Sequence, residues 1–200
     1  MNKFLSGWET RCSSSSVLRF VDVNLRGIGQ VMFQDNPLSG VLFLAGIAWG
    51  SYATGAPEIA IGGVIAVVVA TLTAQWLHAD ETSLRAGLYG YNGVLVGLAL
   101  ATFIAPGPLL WAYVVLGAAV SVVVMLGTAH AVKPWGSALT FPFVLTTWLL
   151  LLATYGFTGL SGTALPVADV VTPFASVAAT RLSGCSAGVR YRLPRSNGPA

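Results

Sequence analysis

Charge is what this sequence has least of. Only 8% of its 200 residues are Asp, Glu, Lys or Arg, where a water-soluble domain carries roughly a quarter. So few charges cannot coat a water-facing surface, whereas a lipid-facing one needs none. A mean hydropathy of +0.76 points the same way. Cysteine is scarce as well: Cys12 and Cys185 lie in the polar ends of the chain, outside every apolar run. That argues against a disulfide framework and against a cysteine-based metal site. The sequence holds no phosphate-cradling glycine loop, no nucleophile–base pair and no metal-ligand cluster, so neither an enzyme nor a cofactor is expected. Glu58, Asp80, Glu81, His78 and His130 all fall at the ends of the apolar runs. A proton-coupled carrier keeps ionisable groups inside the membrane, so passive passage of an uncharged solute fits better. The net charge of +3 sits in the termini and loops and gives no sign of nucleic-acid binding. A secretory signal peptide of the usual form is not expected, because Asp22, Arg26 and Asp35 interrupt the early sequence.

Apolar runs are what the chain does have. A membrane-crossing helix needs about 20 mostly apolar residues, and residues 38–53, 58–77, 84–103, 108–130 and 138–157 meet or approach that length. The reading is an all-α integral membrane protein of about five transmembrane helices. Short links punctuated by Pro57, Pro106 and Pro134 imply that sequential spans pack antiparallel. Residues 1–21 form a polar N-terminal segment, 22–160 the membrane domain, and 161–200 a linker and basic tail. In GLYGYNGVLVG, Gly87, Gly90, Gly93 and Gly97 recur every three or four residues, which leaves one helix face nearly bare. Such stripes let helices approach closely in lipid. Lys3, Arg11, Arg19 and Arg26 precede the first run, while the links near Pro57 and at 104–108 carry no Lys or Arg. The positive-inside rule then places the N-terminus in the cytoplasm and the chain in the cytoplasmic membrane. The arginines of the tail, from Arg181 to Arg195, run against that rule for an odd number of spans.

Two polar constellations interrupt the apolar background. The stretch LRGIGQVMFQDNPLSG, residues 25–40, is too polar to span a membrane and must lie at the interface or enter the bilayer where protein surrounds it. Gln30 and Phe33 stand three apart, so on a helix they share a face and present an amide beside a flat ring. An amphipathic surface helix anchored by Arg26 explains the same pattern, and the pattern alone favours it. Asp35, Asn36 and Pro37 read as the turn and cap that start the first span. The second constellation is SALTFPFVLTTW, residues 137–148. Pro142 donates no backbone N–H, so within a helix it frees the carbonyl of Ala138. Thr140 adds a hydroxyl beside that break, and Phe141 and Phe143 flank it with apolar walls. Interrupted helices at the midplane mark solute sites in transporters, though a plain proline kink fits equally. Hydroxyls, amides and loose carbonyls replace the water of a small neutral polar solute, and urea is planar, uncharged and rich in N–H donors.

In sequence and in order, LRGIGQVMFQDNPLSG, GLYGYNGVLVGLAL and PWGSALTFPF resemble the urea transporter family, over about residues 17–160. The resemblance implies a homotrimeric urea channel with a pore in each protomer. It also implies two homologous, inverted halves, each with short pore helices. This chain would be one half of that inverted repeat, with residues 25–40 contributing a short re-entrant or pore helix. Carried over by position, Gln30 and Phe33 match the pore mouth, Leu88 a pore-wall leucine, and Thr140 the threonine at the constriction. Phe143 stands beside that threonine as a further candidate for contact with solute. Gly136 and Ser137 depart from the Leu-Pro that usually opens the last motif.

A second set of these motifs is expected after Leu160 and does not occur; Thr172, Pro173 and Phe174 only echo one. From Phe174 the composition turns to Arg, Ser and Gly. Read one nucleotide later with permitted codons, residues 182–189 give FRGVAQVF, a parallel to LRGIGQVMF at the chain's start. The expectation is a frame shift or truncation after about residue 175 to 180. Three functions stay open: a urea channel, an inactive truncated half, or a channel for another small neutral solute such as a short amide, ammonia or water. Urea and the lipid bilayer are the expected partners.

Overall fold

The computed structural model describes residues 12, 15–132, 136 and 138–156. The expectations for the tail, and for most of residues 1–21, lie outside them. Helices carry the described residues, and no β-strand occurs among them. In chain order they are α1 (Ser16–Gln30), α2 (Pro37–Ala53), α3 (Pro57–Trp76), α4 (Glu81–Arg85), α5 (Gly90–Phe103), α6 (Pro108–Val132) and α7 (Phe141–Gly156). Their starts follow local chemistry. Pro37, Pro57 and Pro108 occupy the first helical position of α2, α3 and α6, where a missing N–H costs no helical bond. The Asn36 side chain accepts the Leu38 N–H at 2.9 Å, and Asp80 accepts that of Ser83 at 2.8 Å, so each satisfies a donor that its helix leaves free.

Among the described residues, α3 and α6 are long and apolar enough to cross a bilayer, and α2, α5 and α7 are apolar but shorter. The most extensive pairing is α3 on α5. Small residues make it possible: a Cβ on Gly62 would meet the Gly97 carbonyl oxygen at 3.1 Å, and one on Gly93 would meet that of Ala66 at 3.1 Å. The main core is built from Ala66, Val96, Leu100, Leu110, Val114 and Ala118 on α3, α5 and α6. Outward stand Leu42, Trp49, Tyr52, Trp76, Trp148 and Leu152, all largely exposed. A surface this apolar suits lipid better than water.

Helix α1 lies within the bundle, packed on α2, α3 and α5, with Asp22, Val23, Asn24, Gly27, Ile28 and Gly29 buried. Arg26 pairs with Asp22 and with Asp35, each at 2.8 Å, and so ties the helix to the turn that follows it. Burial opposes the guanidinium charge, but the hydrogen bonds that Arg26 donates to Asp35 and Asp22 outweigh that and hold it above its ordinary pKa.

Two apolar runs are organised differently from the sequence expectation. The run 84–103 is broken: α4 ends at Arg85, a turn follows, and α5 begins at Gly90. Gly87 belongs to that turn, at φ +75°, and a Cβ there would strike the backbone of Gly27 and of Arg26. Only glycine meets both demands. The run 138–157 becomes helical only at Phe141. Pro142 sits in the first turn of α7, so the expected mid-helix break is a helix start. The Ala138 carbonyl is not freed, because it accepts the Phe141 N–H at 3.1 Å.

Candidate functional site

Gln30 closes α1, and its side-chain N–H donates to the Ala86 carbonyl at 3.0 Å, across 56 residues of sequence. A carbonyl partner requires a donor, so the amide oxygen is the other end of Gln30. Phe33 lies beyond the helix, in a turn at φ +56°, with 71% of its surface exposed. The shared helix face expected from the three-residue spacing does not form, because the helix stops at Gln30. The turn brings the two side chains to the same place by another route. Both line a cavity of about 670 Å³.

Leu88, from the turn before α5, lines the same cavity, together with Tyr91, Met125 and Leu139. His78 and Asp80 from the end of α3, and His130 from the end of α6, complete its polar edge. The contributing segments lie at one end of the bundle: the C-terminal ends of α1, α3 and α6, the approaches to α2, α5 and α7, and Ser83 of α4. Phe33, His78 and Leu139 are the non-glycine residues with left-handed backbones among the described residues, and all three line this cavity. Backbone strain of this kind concentrates at functional sites.

Thr140 and Phe143 are placed apart from the lining. Thr140 is exposed at the N-terminal boundary of α7, where its carbonyl accepts the Val144 N–H at 3.1 Å. It directly follows Leu139, which does line the cavity. Phe143 is partly buried against the main core. Apart from Asp80, the charges of this region gather elsewhere, with Arg19, Asp22, Arg26, Asp35 and Arg85 around a separate cavity of about 390 Å³.

Asn92 stands out only once the fold is known. It is completely buried, donates to the Leu139 carbonyl at 3.4 Å and to the Met125 sulfur at 3.1 Å, and accepts the Phe143 N–H at 3.2 Å. The Tyr91 hydroxyl donates to the same Leu139 carbonyl. The available signal was an amide standing alone in an apolar run, since a buried amide must find partners.

Comparison with known proteins gives this geometry a lineage. A family model described as "urea transporter" matches residues 21–187. Urea transporter 1 of Rattus norvegicus is 45% identical over 95 residues, which is 48% of this chain and 23% of that protein. Urea transporter 1 of Ovis aries is 44% identical over 94 residues, or 47% and 23% of the two chains. The matched stretch thus spans about a quarter of those relatives' own length. With the family model covering well over half of its residues, the chain belongs to the urea transporter family, a family of transporters and not of enzymes.

Proposed function

We propose that this chain forms a wall of a passive, channel-like pathway for urea. In this reading Gln30 and Phe33 stand at the mouth, Leu88 lies along the wall, and Thr140 is at the constriction with Phe143 behind it. The observation that carries the reading is that Gln30 and Phe33 from one segment and Leu88 from another line one cavity with Leu139, the residue before Thr140. The chemistry is suited to the solute. Stripping a small neutral polar molecule of water costs a few kcal/mol unless hydrogen bonds replace it. The Gln30 amide oxygen can accept from urea, and the exposed ring of Phe33 offers a flat surface. The reading includes about five membrane spans, α1 as a re-entrant helix, a cytoplasmic N-terminus and assembly as a homotrimer in the cytoplasmic membrane.

A second reading, a partial channel that does not conduct alone, draws on the outward faces of α7, where Phe141, Trp148 and Leu152 are largely exposed. Proteoliposome flux decides between them. Vesicles holding the chain are loaded with urea and diluted, and efflux is followed by light scattering. Efflux faster than from protein-free vesicles, and slowed by Gln30→Leu, is the expected result. Efflux at the lipid background overturns the proposal. Competition by a short amide tests whether urea is the preferred solute.

A further inference from the structure

We propose that Asn92, assisted by Tyr91, is the positioning residue for the Thr140 turn and thereby sets the width of the pathway there. The inference rests on the urea-pathway reading for its functional half and on geometry alone for the rest. Residues 139 and 143 flank Thr140 on either side, and Asn92 holds both. Its Nδ2 donates to the Leu139 carbonyl at 3.4 Å, and its Oδ1 accepts the Phe143 N–H at 3.2 Å. That N–H belongs to the first turn of α7, where a helix has no acceptor of its own to offer. Pro142 removes one neighbouring donor of that turn, so Asn92 is a cap supplied from another helix. The Leu139 carbonyl is held a second time by the Tyr91 hydroxyl.

The turn needs such holding. Leu139 sits at φ +44°, a left-handed conformation that a leucine adopts only when its surroundings enforce it. Without the two donors on its carbonyl, the backbone is free to relax, and Thr140 moves with it. Asn92 is itself immobilised: it is completely buried on α5, and its second amide hydrogen faces the Met125 sulfur at 3.1 Å. Between Gly90 and Gly93, its helix is seated directly on α3, where a Cβ on Gly93 would meet the Ala66 carbonyl oxygen at 3.1 Å. The rigid α3–α5 pair therefore carries a clamp that reaches across to the start of α7. Thr140 itself is exposed, and its carbonyl accepts the Val144 N–H at 3.1 Å.

The test has two arms, both on the full chain in lipid nanodiscs or proteoliposomes. In the first, amide hydrogen exchange is followed at Phe143 and Val144 in wild type, Asn92→Ala, Tyr91→Phe and Thr71→Val. Thr71→Val removes a different buried hydrogen bond, that from Thr71 to Asn24 at 3.0 Å, and serves as the control for general loosening. Exchange at Phe143 should rise by roughly tenfold in Asn92→Ala and stay within about twofold in Thr71→Val. Tyr91→Phe keeps the ring and loses only the hydroxyl, so it remains informative even where Asn92→Ala fails to fold; it should raise exchange at Val144. Unchanged exchange in both variants overturns the clamp.

In the second arm, the ratio of urea to N-methylurea flux is measured. Tyr91→Phe should lower that ratio several-fold as the constriction loosens, while Thr71→Val leaves it unchanged. A ratio equal to wild type in Tyr91→Phe overturns the assignment of pathway width to the clamp. Wild-type chain that passes no urea overturns the pathway reading and the width assignment with it. The exchange arm still decides whether Asn92 holds the turn.

Discussion

Asp80 is fully exposed, yet its carboxylate titrates below the ordinary range because it accepts the backbone N–H of Ser83. The sign of the consequence follows from linkage. A carboxylate whose folded pKa is depressed stabilises the fold above its unfolded value and loses that contribution as pH falls through the folded one. Protection of the Ser83 amide in hydrogen exchange should thus be complete above about pH 4 and fade at lower pH. Asp80→Asn, which keeps a capping oxygen without a titrating group, should retain protection throughout. This cap was legible only as an acid at the end of an apolar run, because its role depends on where α4 starts. Asn36 was easier to read, since Asn followed by Pro before an apolar stretch carries its own instructions. Asn92 was not legible as a clamp, because its partners at 139 and 143 lie in and just before another helix and sequence periodicity does not report such pairings.

At the scale of elements, the glycine spacing foretold close helix packing, and α3 on α5 is where it is realised. A Cβ on Gly97 would run into the Gly62 carbonyl and the Ala66 methyl, both on α3. Gly97→Val should destabilise the bundle by about 1–3 kcal/mol, the ordinary range for overpacking a tight contact. Gly46→Ala on α2, where an added Cβ meets nothing within 4 Å, should be neutral or stabilising by up to about 1 kcal/mol. Thermal unfolding of the two variants in the same detergent checks the contrast, and equal shifts would sink it. The composition of the two helices does not distinguish these glycines; only the neighbours across the interface do. The same limit explains the run 84–103, which reads as one helix by hydropathy. It is broken because Gly87 must pass against Gly27, a contact made by segments 60 residues apart. It also explains Pro142: hydropathy cannot tell a proline inside a helix from one in its first turn.

At the scale of the whole molecule, the links divide by charge as the positive-inside rule requires of alternating spans. The N-terminal segment holds Arg19 and Arg26, and the link between α3 and α5 holds Arg85, whereas residues 54–56 and 104–107 hold no Lys or Arg. If α2, α3, α5, α6 and α7 each cross the bilayer, the first pair of regions faces the cytoplasm and the second pair faces outward. On that condition the large cavity, built from the ends of α1, α3 and α6 and the approaches to α2, α5 and α7, would open on the cytoplasmic side. Labelling tests this directly. With Cys12 and Cys185 replaced by serine, a single cysteine at Gly55 or Gly107 should react with a membrane-impermeant maleimide on intact cells. Both positions have open space around them. A cysteine at His78 should react only after permeabilisation. Reaction at His78 in intact cells would place the cavity outside, and reaction at only one of the two glycines would remove the α3–α5 crossing pair on which the five-span reading depends. The shorter helices make this a real test, because α5 at 14 residues covers about 21 Å of a hydrocarbon core of about 30 Å. If α5 crosses, the bilayer thins beside it, or α4 and the turn before α5 supply the remaining depth.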